Sequence, residues 1–151
     1  MSAFSNIPPQ AVLPLGAYDK SALERAALRA DQILLRSDCC GTDSKADVLS
    51  RIGTDLSLPK HFGRNLDALY DCLTDLRPNS DAAHPGFVVF LENLPDGGRF
   101  GQTERSALLD VFRDAAEYFY DEKTAFRVFY SVRKAKGLFT LRTPSAQDVL
   151  R

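Results

Sequence analysis

The amino-acid sequence predicts an α/β fold in which helices flank a small parallel sheet of three strands. Three runs are rich in β-branched, aliphatic and aromatic residues, as buried strands are: 32-QILLRS-37, 87-FVVFL-91 and 126-FRVFYSV-132. Segments with helical patterns separate these runs, and strands that alternate with helices favour a parallel sheet with right-handed crossovers. The chain has 151 residues, which is the size of a single domain.

The first part of the chain predicts an extended arm, an extra helix and the first strand. Residues 1–18 are rich in proline and small side chains, so we interpret them as an extended arm or linker. Ser21 and Glu24 have the spacing of a capping box, and a helix-forming run follows them. After the strand at 32–37, the segment 39-CCGTDS-44 predicts a turn.

Two further helices are predicted before the second strand. Ser44 and Asp47 give a weaker capping signal, apolar residues then recur at helical spacing, and Pro59 ends this helix. Residues 61–76 predict the next helix. Its apolar stripe consists of Leu66, Leu69, Leu73 and Leu76.

The remainder of the chain predicts one long helix between the second and third strands. Glycine and proline mark the loops at 77–86 and 95–101 on either side of the second strand. A helical pattern then runs from about residue 102 to residue 120. We therefore place the domain at residues 19–135 and a basic C-terminal tail at 136–151.

Charge and cysteine content favour a cytoplasmic protein without a metal site. The formal net charge is −1, so overall charge identifies no class of partner. The cysteines are Cys39, Cys40 and Cys72, and an odd count with two adjacent residues is a poor disulfide framework. The first residues lack the basic start and apolar core of a signal peptide, and no apolar run is long enough to cross a membrane.

An acidic stripe on the helix at 61–76 is the least usual feature of the sequence. Asp67, Asp71 and Asp75 are each one turn apart, where like charges cost a helix roughly 0.2–0.5 kcal/mol per pair. The helix dipole favours Asp67 in the first turn, but it has no such effect on Asp71 and opposes Asp75. Tyr70 lies between these acids, and an aromatic beside acids on an exposed face is typical of a protein-binding surface.

Three other chemistries are open to these motifs. Asp67 and Asp71 are spaced so that they could hold a metal or act as acid and base, but this signal is very weak and their spacing alone does not favour catalysis. The loop 95-PDGGRFG-101 could receive a phosphate, but it matches no phosphate-binding motif and is more simply a turn. Lys60, His61, Arg64 and the basic tail could contact nucleic acid, although a solvated face is the simpler interpretation.

The segment 56-LSLPKHFGRNLDALYDCLTDL-76 resembles the signature of the barstar family, whose members inhibit barnase-type ribonucleases inside the cell. The matching elements are Leu-Pro, an aromatic with glycine, Asn-Leu-Asp-Ala-Leu, a second aromatic, and Asp-Cys-Leu-Thr, in that order. A weaker match is 111-VFRDA-115 in the long helix. The resemblance covers about residues 30–132, and it implies a barstar-like fold with an N-terminal arm and an extra helix.

The resemblance also implies a set of partner-binding residues. Asp71 would be the main anchor in the positively charged active site of a guanyl-preferring ribonuclease, where the acidic helix would take the place of RNA phosphates. The full set carried over from the family is His61, Gly63, Asn65, Leu66, Asp67, Tyr70, Asp71 and Asp114. Several positions depart from the family pattern: His61 stands where the family has a contacting tyrosine, and Tyr118 stands where it has a further glutamate. Tyr70 stands where the family often has tryptophan, and Asp75 and Leu76 replace its usual small-then-aromatic pair.

The function expected from the resemblance is that of an inhibitor and not of an enzyme. We expect a free monomer that forms a 1:1 complex with a barnase-type ribonuclease. The family's chemistry needs no catalytic residue, metal or cofactor, and it implies no direct contact with nucleic acid or membrane. The alternative is a module of the same fold that neutralises or regulates a different basic partner, such as a toxin that is not a ribonuclease.

Overall fold

The computed structural model describes residues 3–59 and 64–133 as a sheet covered by helices on both faces. In chain order the strands are β1 (Gln10–Pro14), β2 (Ile33–Asp38), β3 (Gly86–Leu94) and β4 (Ala125–Val132). The α-helices are α1 (Lys20–Arg29), α2 (Lys45–Asp55), α3 (Leu66–Thr74) and α4 (Gln102–Asp121). A short 3-10 helix at Leu15–Ala17 joins β1 to α1.

The sheet has four strands, so the prediction of three was wrong. All pairs are parallel, and the strand order is β1-β4-β3-β2. The additional strand, β1, lies within the predicted arm and pairs with β4 from Gln10 opposite Phe126 to Pro14 opposite Tyr130. Prolines near both ends of β1 obscure the strand pattern, and they are tolerated because β1 is an edge strand with one side unpaired.

Side chains alternate between two apolar layers along the central strands. On β4, Phe126 and Val128 pack toward α2, α3 and α4, and we call this side the helical face. Phe129 points the opposite way, toward α1 and the residues before it, and we call this side the arm face. The buried members of the arm face are Ile7, Ala11, Leu23, Ala27, Val88, Phe90 and Phe129.

Of the N-terminal helix caps predicted from the sequence, the one for α2 is confirmed and the one for α1 is wrong. Ser44 caps α2, where its side chain accepts a hydrogen bond from Asp47 N, as expected. The capping box predicted for Ser21 is wrong, because α1 begins earlier and Asp19 Oδ1 accepts from Ala22 N at 3.3 Å. The helix predicted from residue 61 begins at Leu66.

Candidate functional site

The candidate site is a groove between α3 and α4, and the apolar sides of both helices determine its position. Leu69, Cys72 and Leu73 bury one side of α3, while Phe112 and Ala115 are among the residues that bury the facing side of α4. Their polar sides therefore border a common recess of about 560 Å³. It is lined by Leu66, Asp67, Tyr70, Asp71, Val111, Asp114, Glu117, Tyr118 and Asp121.

This groove, which we call the acidic groove, carries a concentration of negative charge. Its five carboxylates belong to Asp67, Asp71, Asp114, Glu117 and Asp121. All five residues are exposed, and within residues 3–59 and 64–133 none forms an ion pair. Several acids elsewhere are neutralised by ion pairs: Glu24 with Arg36, Asp43 with Arg99, Asp96 with Arg105, and Asp110 with Arg113. The groove therefore presents carboxylates that the described protein leaves uncompensated.

The three aspartates of the acidic stripe occupy different environments. Asp67 and Asp71 line the acidic groove. Asp75 lies outside it, at the C-cap of α3, where its backbone N–H donates to Asp71 O. Asp114 reaches the same groove from α4, so the structure brings together acids from two helices that are far apart in sequence.

Asn65 and Leu66 set the position of the acidic helix. The side-chain oxygen of Asn65 accepts a hydrogen bond from Ala68 N at 2.7 Å and so caps α3. Leu66 is half-buried against the core of the helical face. Lys45 lines an adjoining recess together with Asp67 and Asp71.

Two predicted site residues, His61 and Gly63, lie outside the described residues. Of the aromatic residues at the groove, Tyr70 is half-buried, whereas Tyr118 is 38% exposed. The ring of Tyr118 meets that of Phe119 edge-on, with centroids 5.2 Å apart. An amphipathic ring with one buried edge suits contact with another protein.

The partner-binding set predicted from the resemblance lacks four residues that line the groove: Val111, Glu117, Tyr118 and Asp121. The available signal was the spacing of polar residues on α4, where Asp114, Glu117 and Asp121 recur at helical intervals. That spacing also admits Asp110, which instead pairs with Arg113 at 2.8 Å and does not line the groove.

A comparison with protein families matches residues 33–131, more than half of the chain, to the family described as Barstar (barnase inhibitor). The chain belongs to the barstar family. A comparison with curated proteins finds no match. The matched region contains α3, α4 and every residue that lines the acidic groove. The barstar-family match begins at β2, so β1 and α1 precede it.

The phosphate-binding alternative considered for the loop before α4 is disfavoured by the structure. Glu104 Oε1 accepts a hydrogen bond from Gly101 N at 2.8 Å, and this bond lowers the pKa of Glu104. The N-terminal end of α4 is thus already occupied by a carboxylate of the same helix, which would repel an incoming phosphate. Gly97 and Gly98 have φ angles of 128° and 60°, so both use the left-handed freedom of glycine to make the turn.

The remaining chemistry of the described chain is simple. Cys72 is buried as its position beside Leu69 and Leu73 predicted, and burial, with smaller effects of Asp75 and Asp71, raises the pKa of its thiol. Within residues 3–59 and 64–133 no three metal-ligating side chains are grouped so that they could hold a metal ion. In the same part of the chain, every helix is too short or too polar to cross a membrane.

Proposed function

We propose that this barstar-family protein inhibits a barnase-type, guanyl-preferring ribonuclease by inserting the acidic side of α3 into the enzyme's active site. The observation that carries the proposal is the acidic groove, with five exposed carboxylates that have no ion-pair partner in the described chain. A ribonuclease active site is built to bind phosphates, so carboxylates on a rigid helix can occupy the same positive positions.

The proposed roles of the residues follow from their positions. Asp71, in the middle of α3, is the main anchor, and Asp67 and Asp114 are further acidic contacts. Tyr70 packs at the interface, while Asn65 and Leu66 hold the start of the helix. His61 and Gly63 are proposed as contacts on the resemblance alone, because they lie outside the described residues. The complex contains one copy of each protein, and the inhibitor is a cytoplasmic monomer when free.

The proposal can be tested with a panel of barnase-type ribonucleases that includes any such enzyme encoded beside this gene. We expect loss of RNA cleavage at equimolar inhibitor and calorimetric binding with a stoichiometry of one. Asp71→Ala should raise the Kd at least about 100-fold, because it leaves positively charged side chains of the partner buried at the interface without a negative charge to compensate them. The matched control is Asp75→Ala, which removes the same charge from the same helix but outside the groove.

Two outcomes would contradict the proposal. One is unchanged RNA cleavage with every enzyme in the panel. The other is an equal loss of affinity in Asp71→Ala and Asp75→Ala, since that would reflect net charge and not a specific anchor.

Binding should also weaken as salt is raised, because exposed charges steer association.

A second candidate is a barstar-fold module that regulates a different basic protein. Tyr118 favours it, because a half-exposed ring lines the groove where the family resemblance places a carboxylate. A pull-down from the protein's own cell extract distinguishes the two candidates. Retention of a protein without ribonuclease activity by the wild type, and its loss with Asp71→Ala, would support the second.

A further inference from the structure

A second recess lies at the amino-terminal edge of the sheet, on the other side of the C-terminal end of α4 from the acidic groove. Its volume is about 610 Å³, within the range of about 300–1,000 Å³ that is usual for small-molecule sites. We call it the Arg127 cavity. It is lined by Pro9, Gln32, Ala83, His84, Pro85, Tyr120, Asp121, Lys123, Thr124, Ala125 and Arg127.

Arg127 is unusual because it places a positive charge inside the arm face. Only 8% of the residue is exposed, and burial lowers the pKa of its guanidinium. Its Nε donates to Pro8 O at 3.1 Å and its Nη2 to Ile7 O at 3.3 Å, while the Phe4 ring lies 4.3 Å from the guanidinium carbon. These partners are all neutral, and within the described chain no carboxylate forms an ion pair with Arg127.

A second buried polar group in the cavity wall, Gln32, is only partly satisfied. Gln32 is 9% exposed, and its side-chain nitrogen donates to His84 O at 2.9 Å. Its side-chain oxygen is buried and accepts no hydrogen bond from the described residues. Buried polar atoms are normally satisfied, so two different groups of a bound molecule would be needed here: an anionic group to compensate Arg127, and an O–H or N–H donor, such as the P–OH of a singly ionised phosphate monoester, to satisfy Gln32 Oε1.

The other walls indicate what such a molecule would be. Lys123 adds a second positive charge, against the single carboxylate of Asp121. Tyr120, 54% exposed, and the rings of Pro9 and Pro85 supply apolar surface for a non-polar body. A guanidinium prefers the planar or forked oxygens of a carboxylate or phosphate.

We propose that the Arg127 cavity binds a small organic anion, a carboxylate or phosphate monoester with a compact apolar body. The anionic group faces Arg127 and Lys123, and the apolar body lies against Tyr120. This site is separate from the proposed ribonuclease-binding groove, although Asp121 borders both recesses. Its occupation compensates a buried charge and therefore stabilises the fold.

The test uses the full chain with phenyl phosphate, benzoate and inorganic phosphate as probes, at an ionic strength held constant with sodium chloride. We expect saturable binding by calorimetry for at least one of the two organic probes. Amide NMR shifts should be centred on Gln32, Thr124 and Arg127. Inorganic phosphate, which lacks an apolar body, should bind more weakly than phenyl phosphate.

Lys123→Gln is the principal variant, because Lys123 is exposed and its replacement leaves the anchoring contacts of Arg127 intact. It should weaken binding about tenfold, the effect of losing one charge-assisted contact. Arg127→Met should abolish binding, provided that its NMR spectrum remains that of a folded chain. Arg99→Gln, a change to a 73% exposed arginine elsewhere, is the matched control and should bind as the wild type does.

Asp71→Ala should also bind these anions normally, so failure of this proposal is distinguishable from failure of the proposed inhibitory function. Absence of saturable binding with all three probes would overturn the anion site. An equal effect of Lys123→Gln and Arg99→Gln would do the same, as would shifts scattered over the surface lysines and arginines.

Discussion

The helical face and the arm face of the sheet bury similar apolar side chains, but they differ in where their charged side chains lie. On the helical face the core is apolar, and the uncompensated carboxylates lie outside it, on the exposed sides of α3 and α4. On the arm face a guanidinium lies inside the layer, bonded to the carbonyls of Ile7 and Pro8. Charge on the helical face is therefore exposed and available to a partner protein, whereas the charge of Arg127 also ties the residues before β1 to the sheet.

Because charged side chains lie outside one layer and inside the other, the two faces should respond differently to substitution. The acids of the proposed partner-binding site, Asp67, Asp71 and Asp114, can be altered with little effect on stability, because they are exposed and form no ion pair within the described chain. Four of the seven buried residues of the arm face precede the family match, whereas its buried phenylalanines, Phe90 and Phe129, lie within the match and should behave as ordinary core residues.

Phe129→Ala should lower the free energy of unfolding by about 3–5 kcal/mol, because it removes a fully buried ring from the arm face. It also removes ring contacts with Tyr18 and Phe90, whose centroids lie 5.4 and 6.0 Å away. The measurement is urea denaturation followed by circular dichroism. Phe112→Ala, on the helical face, is the matched comparison and should cost a similar amount. A loss below about 1 kcal/mol for Phe129→Ala alone would show that the arm face is not part of the cooperative core.

Gly86→Ala should cost about 1–3 kcal/mol, because the added methyl group enters a packed region between β3 and β4. A Cβ at this position would lie 2.7 Å from Ala125 Cβ and 2.8 Å from Ala125 O, so the central strands would have to separate. Thermal unfolding measures the effect. Gly16→Ala is the control, since no atom beyond its immediate chain neighbours lies within 4 Å of the Cβ it would add. Equal Tm values for the two variants would refute the close approach at Gly86.

Asp19→Ala should cost about 1 kcal/mol, the usual value of an N-terminal helix cap. The change removes the hydrogen bond from Ala22 N to Asp19 Oδ1 and loosens α1 over the arm face. Ser21→Ala, at the position favoured by the sequence pattern, should change the unfolding midpoint in urea very little. The reverse result would mean that the capping box at Ser21 is the one that forms.

Asp71→Asn should raise the free energy of unfolding by about 0.4–1 kcal/mol, because it relieves two repulsions of roughly 0.2–0.5 kcal/mol each, with Asp67 and with Asp75 one turn away. The effect is small because all three side chains are exposed. Careful comparison of urea midpoints at low ionic strength can resolve it. A loss of stability above about 1 kcal/mol would indicate that Asp71 has a structural partner, contrary to its place in the groove.

Most of the fold could be predicted because its elements have local signals. The runs at 32–37, 87–91 and 126–132 became β2, β3 and β4, and parallel pairing followed from the helices between them. β1 could not be predicted in this way, because its residues alternate poorly and lie among prolines. Only pairing with β4 makes Gln10–Pro14 a strand, and no local pattern records a contact at that sequence distance.

Local sequence signals are also insufficient for the part of the candidate site that lies on α4. Asp67, Tyr70 and Asp71 were identified because their spacing is within one helix and their order matches a family signature. Glu117 and Asp121 join them only through the packing of α3 against α4. Helical spacing gives the polar side of α4, but the neighbouring helix decides which part of that side borders the groove.

The strand order has a consequence for how the chain folds. β4 is the last of the described strands in the sequence, yet it lies between β1 and β3, so Gln10 must pair with Phe126, more than a hundred residues further along the chain. Such distant pairing carries a large loop-closure entropy and slows folding. On the ribosome, the sheet cannot close until β4 has left the exit tunnel, so we expect the chain to acquire its complete core only after that point.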